Sequence, residues 1–378
     1  MNFGQREHFT FLACVPYALL IARRAEGGAV PVGLALVIGM FAAPGIALKH
    51  YFVLVPVALE AWYVMSARTR WKPFRPELLI LLGGALIYGA AVAVITPDFF
   101  RIIVPMVELA YSGYDQPLAD LIYKPVVGMG LLVILGFAFR AKAPSKPAQA
   151  ALVVGMAFFL AYLVQRKGWT YHAFPVAGML WLAVAAEISR VRDKGAGMLR
   201  RVAAILFFGA ALLASLLNTF DDGTYGNIYR KSTDQAMADL GEGEAVLSLS
   251  AHASSAWPMA GERGLKWSSR HYTFWMLPAF DGQARPEMQS VQMRAFASQV
   301  RRDTARDIAC LPPARILVDK SKSTSLSPRF DILGFFRKEP AFEAVFDNYR
   351  RSAENEHFVI FDRAGPIAAA RRGCRRIY

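Results

Sequence analysis

The stretch Gln165-Arg-Lys-Gly-Trp-Thr-Tyr-His172 separates two apolar runs, residues 151–164 and 173–186. Its polar, cationic and aromatic residues interrupt sequence that would otherwise suit hydrocarbon. A backbone inside a bilayer must satisfy its polar groups internally, so we expect this break at a membrane surface or in a water-filled cavity. Two cations, two large aromatics, a histidine and a glycine suit an anionic, sugar-like or phosphate-like ligand. An interfacial loop with an aromatic belt and basic anchors is the alternative.

The composition is that of a membrane protein. Of the 378 residues, 55% are hydrophobic and only 19% are charged, which is too apolar for an ordinary soluble protein of this length. The net charge of +14 is typical of cytoplasmic loops near anionic lipid. The sequence holds no nucleic-acid motif, so we expect no nucleic-acid partner. Three cysteines without a close pair argue against a zinc site, although Cys310 and Cys374 could pair.

Eight apolar runs have roughly the length needed to cross a hydrocarbon core of about 30 Å. They cover residues 9–22, 29–48, 52–67, 77–96, 121–139, 151–164, 173–186 and 202–217. The predicted fold class is therefore a multispanning α-helical membrane protein of about eight spans, with a C-terminal α/β extracytoplasmic domain. We place the transmembrane helical domain at residues 1–218 and the α/β domain at residues 219–378.

The loops between these runs differ in charge when they are assigned alternately to the two faces. One set of loops carries fourteen lysines and arginines and the other carries five. The positive-inside rule makes the first set cytoplasmic. The second set includes residues 1–8, 48–50, 97–120 and 165–172, so their polar residues are predicted to share the outer face with the tail.

The tail after residue 218 has frequent charges and no run long enough to span. Residues 245–250, 314–319 and 357–362 are predicted strands, and residues 286–309 and 341–351 are predicted helices. This alternation indicates a small α/β domain with a mostly parallel sheet. No GxGxxG or P-loop motif is present, which argues against a nucleotide site.

Several outer-face residues could carry chemistry. Glu7 beside His8 could supply a base and its partner or bind metal, and a cap with snorkelling charges is the alternative. Lys49 could hold a phosphate or anchor the interface. The stretch 97–120 holds four carboxylates, none of which stands out. Glu60 lies within an apolar run, where a carboxylate is a functional candidate, but nearby aromatics indicate an interface. In the tail, residues 267–272 mix aromatics with arginine, and core packing is the simpler interpretation.

Three motifs together resemble a known family. They are Gly4-Gln-Arg-Glu-His8 with Pro16-Tyr17, Gly45-Ile-Ala-Leu-Lys-His50 with Val55-Pro56, and Gln165-Arg-Lys-Gly-Trp-Thr-Tyr-His172 with Pro175. The pattern resembles bacterial membrane proteins of the glycosyltransferase C superfamily, of the protein-mannosyltransferase and arabinose-transferase type. The resemblance implies a multi-pass enzyme of the bacterial inner membrane with its C-terminal domain in the periplasm. Such an enzyme transfers a sugar from a polyprenyl-phosphate donor to a glycan, lipid or protein acceptor at the outer face.

The resemblance also implies roles for individual residues. Glu7 and His8 are the catalytic candidates. The substrate-binding candidates are Lys49, His50, Arg166, Lys167, Trp169, Tyr171 and His172. Among these, Lys49, Arg166, Lys167 and His172 are expected on the lipid phosphate, and Trp169 on the sugar or first isoprene. Membrane lipid is a further expected partner. No cofactor is expected, and a divalent metal stays open.

The motifs depart from the family pattern in one respect. In that superfamily the key acidic residue usually lies in the first large outer loop, and no such loop precedes Glu7. The chain therefore resembles an N-terminally truncated member. Two alternatives to a transferase stay open: a non-catalytic transporter or assembly subunit for a lipid-linked glycan, and a polymer ligase.

Overall fold

A computed structural model describes residues 5–124, 127–128, 130–131, 143–189, 228–253, 255–282, 286, 289–320, 326–365 and 374. The earlier helices are α1 Arg6–Ala25, α2 Val32–Ala47, α3 Leu54–Ala67, α4 Pro76–Ile95, α5 Val104–Ser112, α6 Leu118–Ile122, α7 Lys146–Gln165 and α8 Thr170–Ser189. The later helices are α9 Arg230–Ala236, α10 Trp257–Glu262, α11 Leu277–Phe280, α12 Val291–Cys310, α13 Ile332–Arg337 and α14 Pro340–Phe346. The strands are β1 Ala245–Leu249, β2 Lys266–Trp267, β3 Arg315–Asp319, β4 Tyr349–Glu354 and β5 Phe358–Arg363.

The chain divides into two compact units. The helical unit comprises residues 1–99 and 115–224, and the mixed unit comprises residues 100–114 and 225–378. Helix α5 belongs to the mixed unit, where Ala110 is buried in its core and the Tyr114 hydroxyl donates to the carbonyl of Trp275 at 2.5 Å.

Helix α1 is the centre of the helical unit, since it packs against α2, α3, α7 and α8. Its buried face carries Tyr17 and Ile21, which have no exposed surface and belong to one apolar core with Phe158 of α7. Helix α7 begins at an N-cap, Ser145, whose hydroxyl accepts from the backbone N–H of Ala148 at 3.3 Å. It ends at Arg166, whose φ of 54° turns the chain out of the helix.

Three described segments are long and apolar enough to cross a membrane: His50–Arg70, Pro76–Ile95 and Lys146–Gln165. Helix α4 is apolar after its first turn, yet only 6% of its spanning window is buried, which fits a surface in contact with lipid. The prediction of eight spans is wrong for the described residues. Helix α2 has only 16 residues, and α1 carries charges in its first and last turns. The run 202–217 and most of 121–139 lie outside the described residues.

The mixed unit contains a five-stranded sheet in the order β2-β1-β3-β5-β4. Strand β1 is parallel to both β2 and β3, whereas β5 is antiparallel to β3 and β4. The predicted strands at 245–250, 314–319 and 357–362 are confirmed within one residue at each end. The prediction of a mostly parallel sheet is wrong, because β4 and β5 form a hairpin at one edge.

Two apolar clusters cover the two faces of this sheet. Leu247 and Ile316 belong to the larger cluster, together with α12, and Val246 and Leu317 belong to the smaller one. The strand alternation explains this division. The predicted helix over 341–351 is wrong in its second half. Helix α14 ends at Phe346, and residues 349–354 form the exposed edge strand β4.

Candidate functional site

Four polar side chains from separate parts of the sequence meet in the helical unit. Glu7 lies in the first turn of α1, Lys49 between α2 and α3, Gln165 at the end of α7 and His172 in the first turn of α8. Lys49 Nζ donates to Glu7 Oε1 in a short ion pair and to Gln165 Oε1 at 3.1 Å. It lies 3.2 Å from His172 Nε2, which is itself 3.2 Å from Glu7 Oε1. We call these four residues the buried polar cluster.

The buried polar cluster is almost closed to solvent. Glu7 is 1% exposed and His172 is 4% exposed. Burial lowers the pKa of Lys49, and its hydrogen bond to Glu7 opposes that change. Removing two charges from water costs several kcal/mol per ion, which only close pairing offsets. Buried ionisable groups in a membrane protein are rare and mark functional sites by default.

A second segment of the same unit contacts residues 165–172 and fixes their position. The backbone N–H of Gln116 donates to the carbonyl of Arg166 at 2.7 Å, and Arg166 Nε donates to the carbonyl of Gln116 at 3.3 Å. Lys167 forms a short ion pair with Asp115. Gly168 has a φ of 64°, and a Cβ there would lie 2.2 Å from Gln116 Oε1. The sequence did not predict these contacts, because Asp115 is one of four carboxylates in the stretch 97–120 and nothing distinguishes it from the others.

Aromatic rings adjoin the buried polar cluster. The rings of Trp169 and Tyr171 stack with centroids 5.5 Å apart, and the Trp169 ring lies 5.2 Å from that of His172. Lys49 Nζ lies 5.9 Å from the centroid of the Tyr171 ring, within cation–π range. These rings therefore form an apolar wall beside a polar, nearly closed site.

Other candidates lie at its edge or outside it. Arg166 is exposed. The His8 ring packs on Phe174 at 4.2 Å, and the exposed His50 packs on Tyr51 at 3.8 Å. Neither histidine is among the side chains that contact Lys49 through a described hydrogen bond. The side chains of Glu7, Lys49, Gln165 and His172 thus form the centre of the site.

A second ionic cluster lies at the opposite end of α1. Arg24 pairs with the fully buried Glu77 at 2.7 Å, and Arg75 pairs with both Glu77 and Glu60. Trp71 Nε1 also donates to Glu60 at 2.7 Å. Glu7 and Arg24 are 17 residues apart on one helix, or roughly 26 Å at 1.5 Å per residue. Glu60 is thus part of a separate network with cationic partners.

The tail candidates are explained by packing and ion pairing. Trp267 is 3% exposed in the core, and Arg270 forks onto Asp307 at 2.7 and 3.1 Å. That pairing raises the pKa of Arg270. At the carboxyl end of β3, Asp319 accepts from the hydroxyls of Tyr229 and Ser250. These groups satisfy one another.

The described part of the chain contains no group of three or more histidine, cysteine or acidic residues arranged to hold a metal ion. The buried polar cluster itself consists of one carboxylate, one ammonium, one imidazole and one amide. Together they can bind a polar group and accept a proton. No protein-family model, curated protein or solved structure matches this chain.

Proposed function

We propose that this protein transfers a sugar from a polyprenyl-phosphate donor to an acceptor at the outer face of a bacterial inner membrane. One observation carries the proposal. The three motifs that resemble the glycosyltransferase C superfamily contribute Glu7, Lys49 and His172 to a single buried polar cluster. Motifs that served only as interfacial anchors would not need to meet in the interior of a helical unit.

The cation beside the cluster that best suits the lipid phosphate is Arg166. It is exposed and its Nε donates to the carbonyl of Gln116, so its charge lies next to the cluster without being buried in it. A leaving phosphate develops negative charge, and fixed cations at that point lower the barrier. Lys49 and Lys167 are less suited to this role than the sequence indicated, because Glu7 and Asp115 already neutralise them.

The remaining groups suit the sugar and the acceptor. Trp169 and Tyr171 offer apolar faces for the C–H surface of a sugar ring. In the reaction, the acceptor oxygen bonds to the sugar C1, the bond from C1 to the phosphate oxygen breaks, and a carboxylate takes the acceptor proton. Glu7 is the carboxylate of the cluster, so we assign it that role.

The orientation is part of the proposal. The excess of lysine and arginine in one set of loops favours the outer face for the tail and the cluster. The disulfide between Cys310 and Cys374 in the mixed unit supports this, because disulfides persist in oxidising compartments such as the periplasm.

Orientation is tested by labelling single cysteines in intact cells with a membrane-impermeant maleimide. Lys338→Cys, on an exposed position of the mixed unit, should label before lysis. Arg68→Cys, exposed at the other end of the helical unit, should label only after lysis. The reverse pattern would overturn the orientation.

The phosphate site is tested by titrating polyprenyl phosphate onto the full chain in lipid nanodiscs. Losing a charge-assisted contact costs about 1.5–3 kcal/mol, or roughly ten- to a hundredfold in affinity. Arg166→Gln should weaken binding by that factor, and Arg68→Gln, an exposed cation at the opposite end, should not. Equal affinities for the wild type and Arg166→Gln would remove the phosphate role. Binding without transfer to any acceptor would favour an assembly subunit or transporter.

A further inference from the structure

Two buried atoms of the cluster have no hydrogen-bond partner among the described residues. They are Glu7 Oε2 and His172 Nδ1. Their side chains are 1% and 4% exposed, so bulk water does not satisfy them. Buried polar atoms without a partner are uncommon in native proteins, and each such atom calls for an explanation such as a ligand or a bound water.

The number of hydrogen-bond donors on Lys49 indicates which atoms of the cluster donate and which accept. The Lys49 ammonium has three donors and no acceptor. It has three neighbours within hydrogen-bonding distance: Glu7 Oε1, Gln165 Oε1 and His172 Nε2. We assign the tautomer in which all three donors are used: His172 Nε2 accepts from Lys49, and the imidazole proton lies on Nδ1. The cluster therefore presents one unsatisfied acceptor, Glu7 Oε2, and one unsatisfied donor, His172 Nδ1–H.

The charge of the cluster selects among ligands. The Glu7 carboxylate and the Lys49 ammonium cancel, and the imidazole and the Gln165 amide are neutral. A phosphate placed against Glu7 Oε2 would bring two acceptors together and add an unpaired charge to a buried site, which is costly. A hydroxyl both donates and accepts, so it complements one acceptor and one donor.

We propose that Glu7 Oε2 and His172 Nδ1–H bind hydroxyl groups of a carbohydrate, and that the lipid phosphate lies outside the buried polar cluster. Glu7 Oε2 accepts a hydrogen bond from one hydroxyl, and His172 Nδ1–H donates a hydrogen bond to a hydroxyl oxygen. The stacked rings of Trp169 and Tyr171 provide the adjoining apolar wall. This inference rests on the proposed function, because it names the part of the donor or acceptor that the cluster holds.

The test compares two kinds of lipid on the full chain in nanodiscs. One probe is polyprenyl phosphate, and the others are polyprenyl-phosphate hexoses and pentoses. The wild type should bind at least one sugar-linked lipid tenfold or more tightly than polyprenyl phosphate. Glu7→Gln keeps an oxygen for Lys49 but can replace the Oε2 acceptor with a donor. It should lose roughly ten- to a hundredfold in affinity for the sugar-linked lipid. Its affinity for polyprenyl phosphate should change by less than about twofold.

A second variant keeps the hypothesis testable if Glu7→Gln does not fold. His172→Phe keeps an aromatic ring of similar shape and removes the Nδ1 donor, so it should show the same selective loss. Glu60→Gln is the matched control, because Glu60 is also paired with a cation but at the opposite end of the helical unit. It should leave both affinities unchanged. All variants are compared at matched thermal stability and monodispersity.

The outcomes separate the two hypotheses. If polyprenyl phosphate binds but no sugar-linked lipid binds more tightly, the two atoms hold an ordered water only, and the hydroxyl site is wrong. The site is also wrong if Glu7→Gln weakens both kinds of lipid equally, since the cluster then holds the phosphate. If the wild type binds none of these lipids, the proposed function fails, and the carbohydrate site fails with it.

Discussion

Replacing Lys49 with methionine should destabilise the helical unit strongly. The substitution leaves Glu7, which is 1% exposed, without its cation, and it removes the only donor directed at Gln165 Oε1 among the described hydrogen bonds. Breaking a buried ion pair by removing one partner costs about 3–5 kcal/mol. A unit of roughly 200 residues loses about 2–4 °C in Tm per kcal/mol, so we expect a loss on the order of 6–20 °C.

The double variant Glu7→Gln/Lys49→Met tests whether the unpaired Glu7 carboxylate causes the loss of Tm. It removes both charges, so the uncompensated carboxylate disappears and at least half of the lost Tm should return. Thermal unfolding of the purified protein in detergent, at one fixed scan rate, measures all four members of the cycle. A Tm loss below about 2 °C for Lys49→Met, or additive losses in the double variant, would refute the buried ion pair.

Three further predictions concern other parts of the chain. A Cβ at Gly113 would lie 2.4 Å from the backbone nitrogen of Ala279, so Gly113→Ala should lower the Tm of the mixed unit, whereas Gly261→Ala, which faces open space, should not. Arg315 lowers the pKa of Asp239 through their hydrogen bond. That contribution is present above the ordinary Asp pKa of about 4 and is lost as pH falls through the depressed value. The Tm difference between the wild type and Arg315→Met should therefore shrink between about pH 5 and pH 2. A constant difference across that range would contradict it. Cys310→Ser should expose one thiol to maleimide, at Cys374, in protein purified without reductant; labelling of the wild type at Cys310 would contradict the disulfide.

The helical runs could be predicted because apolar composition alone decides them. The run 77–96 became α4 almost residue for residue, since the side chains that follow Glu77 in this helix are apolar and compatible with lipid. Composition could not decide the number of spans. Helix α1 has enough residues, but charges in its first and last turns, including Glu7 and Arg24, are held by partners from other parts of the helical unit.

The strands with buried apolar residues could also be predicted from the sequence, whereas β4 could not. Residues 245–249 and 315–319 are buried along their whole length. Residues 349–354 are exposed except for Tyr349 and carry two arginines, so no alternation marks them as a strand. Pairing with β5 supplies their backbone hydrogen bonds, and such a long-range partner is invisible in a local pattern.

The common location of the motifs could be predicted, but their contacts could not. The charge count assigned Glu7, Lys49 and the stretch 165–172 to one face. Which side chains meet depends on how each helix is rotated and how far it extends. Gln165 was not expected to contact Lys49, and Lys167 was not expected to pair with Asp115. The binding roles of these residues stay predictions.

Photo-crosslinking tests the central claim most directly, because it reports where the lipid phosphate binds. A photoreactive phenylalanine analogue replaces Tyr171 beside the buried polar cluster or, as the matched control, Trp71 beside the ionic cluster at the other end of the helical unit. Irradiation follows incubation of the full chain with radiolabelled polyprenyl phosphate. We expect a crosslink at position 171 that excess unlabelled lipid suppresses, and none above background at position 71. A crosslink at position 71 alone, or none at either position, would contradict it.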